Sequence, residues 1–234
     1  MAVGLCPVWS VVLLHEDGGH VVEGDLNRTN TSVYSCKIGE KISSSEVTVI
    51  DQVDIPNEFG SRHFDDEGTP MRENILIENG VLKGYMQDRK NALLTQSALT
   101  GNGRRESYQH VPIPRMTNTY FGNGKYEPDE IIGSVKDGIY IDKMSGGRVN
   151  ITSGDFNMNA TLSYRIRNGK LCKPLKGATL IGDGLSVLQS ITMMGNDMKL
   201  SETPGACGKD GQSMDVGIEQ PTVLVPKMTV GGTA

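Results

Sequence analysis

No stretch of about 18 uninterrupted apolar residues occurs in the 234-residue chain, so a membrane-spanning helix is not expected. The first apolar run, Val8 to Leu14, follows no Lys or Arg and ends in His15-Glu16. A secretory leader wants a basic start and a small-residue cleavage site, so none is expected here. A basic surplus is also missing. Asp and Glu number 28 against 23 Lys and Arg, a net charge of -5, which gives no support to a nucleic-acid partner. Cysteine is sparse: Cys6, Cys36, Cys172 and Cys207 stand far apart without a C-x-x-C pair. That pattern does not suit a disulfide scaffold, and a reducing cytoplasm is the expected compartment, with thiols free or bound to metal. There is no repeat, no low-complexity tract and no dividing linker. Hydrophobic residues make up 37%, a low share, yet β-type apolar runs recur along the chain, which excludes a disordered polyampholyte.

What is abundant is glycine, 29 of 234 residues, against an average of roughly 7%. Many tight turns follow, and with them a β-rich fold. Asn79-Gly80, between 74–78 and 81–86, and Asn168-Gly169, between 162–167 and 170–174, each predict a hairpin, because a type I′ turn needs positive φ at both positions. Strands are expected at 31–36, 46–53 and 222–230, with glycine turns and β-type residues over 141–160. Helices are expected at 87–98, at 127–139 behind Pro128, and at 185–194. Residues 54–73 and the glycine-rich 201–220 read as loops. Residues 8–24 read as a buried helix entering a site, with Gly24 and Asn27 as stop signals. The simplest reading is one α+β domain over 1–234, with largely antiparallel sheets, a few helices and a metal-binding helix near the N-terminus.

The constellation that points at a reaction is His15-Glu16-Asp17-Gly18-Gly19-His20. In the H-E-x-x-H pattern the histidines are four apart and share a helix face. Here the spacing is five, which rotates an α-helix by about 500° and leaves the rings roughly 140° apart. One extra residue in the turn, a π-bulge, brings the rings together, and Gly18-Gly19 sits where it is needed. On the motif alone the histidines are either ligands or harmless polar residues at a helix end. Candidates for a third ligand are His63, His110, Cys207 and several acids. Cys207 stands in Pro204-Gly-Ala-Cys-Gly208, either at an ion or as a stray loop cysteine.

Longer motifs run from end to end: Leu13-Leu-His-Glu-x-x-Gly-His20 with Glu23-Gly-Asp25, Asp66-Glu-Gly-Thr-Pro70, Ile77-Glu-Asn-Gly-Val-Leu-Lys-Gly-Tyr85, Thr100-Gly-Asn-Gly-Arg-Arg-Glu-Ser-Tyr108, Pro114-Arg-Met-Thr-Asn-Thr-Tyr120, Cys207-Gly-Lys-x-Gly-Gln212 and Val230-Gly-Gly-Thr-Ala234. On these the chain resembles the C-terminal, catalytic half of the metal-bearing (TldD-type) members of the TldD/PmbA (TldE) family of cytoplasmic metalloproteases. The resemblance implies a metal site of His15, His20 and Cys207, with Glu16 as the catalytic acid-base residue. It implies peptide substrates, short or unfolded, and a TldE/PmbA-like partner subunit or a homodimer. It also implies that the family's N-terminal domain is absent, since the chain begins 14 residues before His15. An inactive fragment or a structural subunit is the alternative, and a redox or sensor protein a distant third.

Two neutral imidazoles and one thiolate favour zinc, with iron open, over magnesium or calcium. Glu23 or Asp25 is expected either to orient a ligand ring or to sit on a solvated helix end. Arg104-Arg105 and Arg115 are expected to hold a peptide carboxylate, or else to cover a surface or an interface. Tyr108 and His110 are weaker candidates for an oxyanion. Exposed strand edges suit an extended peptide.

Overall fold

The computed structural model describes residues 1–7, 15–150, 153–199 and 205–232, apart from the side chains of residues 16, 17, 145, 146 and 149. Residues 8–14, the first part of the expected entering helix, lie outside them. The strands are β1 (Ala2–Leu5), β2 (Val49–Asp51), β3 (Asn74–Glu78), β4 (Val81–Leu82), β5 (Gly103–Arg104), β6 (Ile113–Pro114), β7 (Asn118–Phe121), β8 (Asp137–Val149), β9 (Asp155–Arg167), β10 (Lys170–Leu175), β11 (Ala178–Asp183), β12 (Met193–Met194), β13 (Gly205–Lys209), β14 (Gln212–Glu219), β15 (Val223–Val225) and β16 (Thr229–Gly231). The α-helices are short: α1 (Gly24–Arg28), α2 (Arg89–Thr95), α3 (Pro128–Ser134) and α4 (Gly184–Ser190). A π turn, His15–Gly19, and a 3-10 turn, His20–Val22, precede α1.

One sheet runs β12-β15-β1-β8-β9-β11-β16, with β10 also on β9, and a second runs β13-β14-β7-β2-β3-β4. The pairs β1–β8 and β14–β7 are parallel and the other ladders antiparallel, which is the expected α+β architecture. Along β9, Phe156, Met158 and Ala160 are buried while Asn157, Asn159 and Thr161 are exposed, the period-2 pattern of a sheet with one wet face. A single buried cluster takes Val3, Ile141 and Met158 from the first sheet, Val49, Ile77 and Val216 from the second, and Val21, Met116 and Cys207 beside the π turn. The site is therefore seated against the core.

Both Asn-Gly hairpins form, with positive φ at Asn79, Gly80, Asn168 and Gly169. The helices at 87–98 and 185–194 form over shorter spans, as α2 and α4. Asp88 and Asp183 cap them through Asn91 N and Ser186 N.

Five expectations are corrected. Residues 31–36 are turns, because the Ser32 hydroxyl donates to Val21 O and accepts from Tyr34 N, and Cys36 takes positive φ. The 127–139 helix stops at Ser134, and β8 begins at Asp137 to pair with β1. Only part of the glycine in 141–160 turns the chain: Gly154, with φ of 79°, lies between β8 and β9 as expected, but a Cβ on Gly147 would lie 2.5 Å from Asn157 O, where β8 and β9 pack through register shifts. The 222–230 strand is two strands, β15 and β16, separated at Pro226, which cannot donate to a ladder. Residues 205–219 are a hairpin, β13–β14, turned by Asp210-Gly211 with φ of 50° and 72°.

Behind the site, Asp51 of β2 is fully buried and accepts four hydrogen bonds. They come from Thr117 N (2.8 Å), Thr117 Oγ1 (2.8 Å), Thr119 Oγ1 (2.7 Å) and Asn102 Nδ2 (2.7 Å). This hub fixes the segment that carries Arg115 and Met116.

Candidate metal centre

His15 and His20 stand at the start of the π turn and just after it. A π turn closes i to i+5, so residues five apart stack. The rings meet edge to face, with centroids 4.8 Å apart. Gly19 leaves room for Met116, since a Cβ there would lie 2.1 Å from Met116 Sδ and displace that buried side chain. Gly24 does not stop a helix as expected; it opens α1. The chain is pinned there by Gly24 N to Met86 O (2.7 Å) and Met86 N to Val22 O (2.9 Å).

Cys207 comes from the middle of β13, paired with Met214, and is fully buried. Its Sγ lies 3.3 Å from His20 Nε2. One donor atom each from His15, His20 and Cys207 lies within 4.8 Å of the others, and no other residue joins this group among the described residues. His63 is exposed, and His110 turns its Nδ1 to Ser107 Oγ at 3.0 Å, so neither is the third member. The backbone of Glu16 lies in the π turn.

Around this trio stands a buried charged cluster. His20 Nδ1 is 2.9 Å from Glu23 Oε2, so Glu23 orients the ring. Lys209 Nζ lies 3.0 Å from the same Glu23 oxygen and 2.7 Å from Asp25 Oδ1. Asp25 thus holds the lysine and not a ring. Arg115 is fully buried; it donates to Cys207 O, and its Nε is 3.8 Å from Glu23 Oε1. Arg104 is buried too and donates to Met116 O and Asp215 O. The peptide-carboxylate, surface and interface readings therefore fail for Arg104 and Arg115, whose guanidiniums are engaged with backbone carbonyls, while Arg105 is half-buried and keeps them. Tyr108 is 82% exposed, whereas the trio is buried.

Burial alone pushes the Cys207 thiol up, but hydrogen bonds with His15 and His20 outweigh it and bring the thiol down to about 5. Burial works against a charged His20, yet Glu23 and Cys207 raise it to about 10. Burial would raise Glu23, and His20 and Lys209 hold it below the ordinary carboxylate range. The Cys207 thiolate is thus matched by a positive charge on His20, a place that a bound cation would take over. The chemistry of the donor set and the orphaned, buried His15 Nδ1 fit a transition metal. His15, His20 and Cys207 would hold such an ion, since their donor atoms all lie within 4.8 Å of one another and the Cys207–His20 pair is 3.3 Å apart.

Residues 1–232 match the model of the PmbA/TldA metallopeptidase C-terminal domain. The chain belongs to this family. It is 54% identical to a metalloprotease TldD homolog of Buchnera aphidicola over 225 residues, 96% of this chain and 47% of that protein. It is 32% identical to a zinc metalloprotease TldD homolog of Saccharolobus solfataricus, covering 97% of this chain and 51% of that protein. The crystal structure of TldE from Thermococcus kodakarensis shares the fold, with a TM-score of 0.85 at 23% identity over 99% of this chain and 50% of that one. The chain thus spans about half the length of the relatives it matches. No helix among the described residues is long and apolar enough to cross a membrane.

Lys209 is the residue that sequence reasoning missed. Its signal is the strand period of 2, which puts 207 and 209 on one side of β13, facing buried Glu23 and half-buried Asp25.

Proposed function

We propose that this chain is the catalytic domain, over 1–234, of a metal-dependent peptidase in which His15, His20 and Cys207 hold a zinc ion and Glu16 moves the proton. The observation that carries the reading is the convergence of two imidazoles and one thiolate in a buried group within 4.8 Å. Iron fits the same donors. When bound, such an ion supplies Lewis acidity to an amide carbonyl and to water. The Glu16 carboxylate takes the proton of the attacking water and delivers it to the leaving amine nitrogen. Glu23 keeps His20 in the tautomer with Nδ1 protonated and Nε2 free for the ion. β13 lies at the end of its sheet, so an extended peptide can add beside Cys207 and be read through its backbone. Short or unfolded peptides suit that mode.

Metal analysis tests the reading. The purified chain is expected to carry about one zinc or iron ion, removable by a strong chelator. Cys207→Ser is expected to lose most of it, while Cys6→Ser, Cys36→Ser and Cys172→Ser keep it. Equal metal in all four variants removes Cys207 from the site. The chain is further proposed to act in the cytoplasm with a TldE/PmbA-like partner, or as a homodimer. Sedimentation showing a stable monomer indifferent to such a partner contradicts this.

A further inference from the structure

The cluster behind the trio does more than orient one ring. Glu23, on the segment leaving the π turn, is held through Oε2 by Lys209, which stands two residues after Cys207 on β13. The route Cys207–His20–Glu23–Lys209 is therefore a closed ring: two side-chain contacts of 3.3 and 2.9 Å, one ion pair of 3.0 Å, and the strand backbone. It joins elements 187 residues apart in sequence. Arg115 reinforces it by donating to Cys207 O.

Asp25 steadies the lysine end of the ring, its Oδ1 2.7 Å from Lys209 Nζ. Removing Glu23 or Lys209 opens the ring, so the thiol and the imidazole lose the scaffold that fixes their spacing.

We propose that Lys209 and Glu23 form a positioning pair that locks the strand-borne thiolate to the turn-borne imidazole before the ion arrives. This rests on the metal reading above.

The test is titration of the 234-residue chain with cobalt(II) chloride, followed by its thiolate-to-metal charge-transfer and visible ligand-field bands, with unfolding curves run in parallel. Lys209→Met is expected to weaken cobalt binding roughly 10- to 100-fold. Glu23→Gln is nearly isosteric and keeps an acceptor for the ring. It is expected to fold, to weaken binding about 10-fold, and to move the ligand-field envelope at saturation, because the ring loses its charged partner. Asp25→Asn leaves the Glu23–Lys209 contact in place and is expected to bind close to the unsubstituted chain. Unchanged affinity and spectrum in Glu23→Gln overturn the proposal, as does unchanged affinity in a folded Lys209→Met. If the unsubstituted chain itself gives no charge-transfer band, the metal reading falls, an outcome separate from failure of the pair.

Discussion

Glu16→Gln is expected to retain its metal and to lose peptide cleavage by roughly 10²- to 10⁴-fold, the usual worth of a positioned general base. The amide has the same size, and it leaves His15, His20 and Cys207 in place. It cannot accept the proton of water at neutral pH. Asp17→Ala supplies the contrast, since that neighbouring acid has no assigned part in the reaction and its removal should spare most activity. Both variants are to be assayed in a preparation whose unsubstituted form cleaves peptides, with metal content measured alongside. Full activity in Glu16→Gln sinks the mechanism. Loss of metal in that variant recasts Glu16 as a ligand.

Asp51→Ala is expected to cost at least about 4 kcal/mol, a large part of the roughly 5 to 15 kcal/mol that holds a domain folded. The carboxylate accepts from one backbone amide, two hydroxyls and one side-chain amide, all buried. Each stranded donor costs about 1–3 kcal/mol, partly relieved where a threonine hydroxyl can turn to another acceptor. Thr119→Val removes a single donor and should cost about 1 kcal/mol. The damage should reach the site as well, because Thr117 adjoins Met116, which packs where Gly19 turns, and Arg115, which grips the Cys207 carbonyl. Urea unfolding of the two variants checks the ordering, and a cost for Asp51→Ala no greater than that for Thr119→Val contradicts it.

The reach of the sequence differs between these sites for physical reasons. The meeting of His15 and His20 is legible because five-residue spacing with two glycines allows a π turn and little else that serves both rings. Glu23 is legible from its place three residues after His20. The Cys207 strand is not, even though Asp210-Gly211 carries the same turn signal as the two hairpins that are read correctly. Gly205, Ala206 and Gly208 offer no branched or aromatic side chains, so the run looks like loop. Lys209 is hidden with it, since its partners are apparent only once the hairpin is known. Asp51 is silent for another reason: its side-chain donors lie 51 to 68 residues along the chain, and nothing local marks a buried acid.

The distance between His20 and Cys207, 187 residues, sets a timetable for biosynthesis. At about 5–20 residues per second the histidines leave the ribosome roughly 10 to 40 s before the cysteine. During that interval the nascent chain holds the two imidazoles without Cys207. Any chain cut short before β13 lacks the third member of the trio. On the proposed reading, the metal centre is complete only when the second sheet has received its last hairpin, so an unfinished chain cannot cut itself.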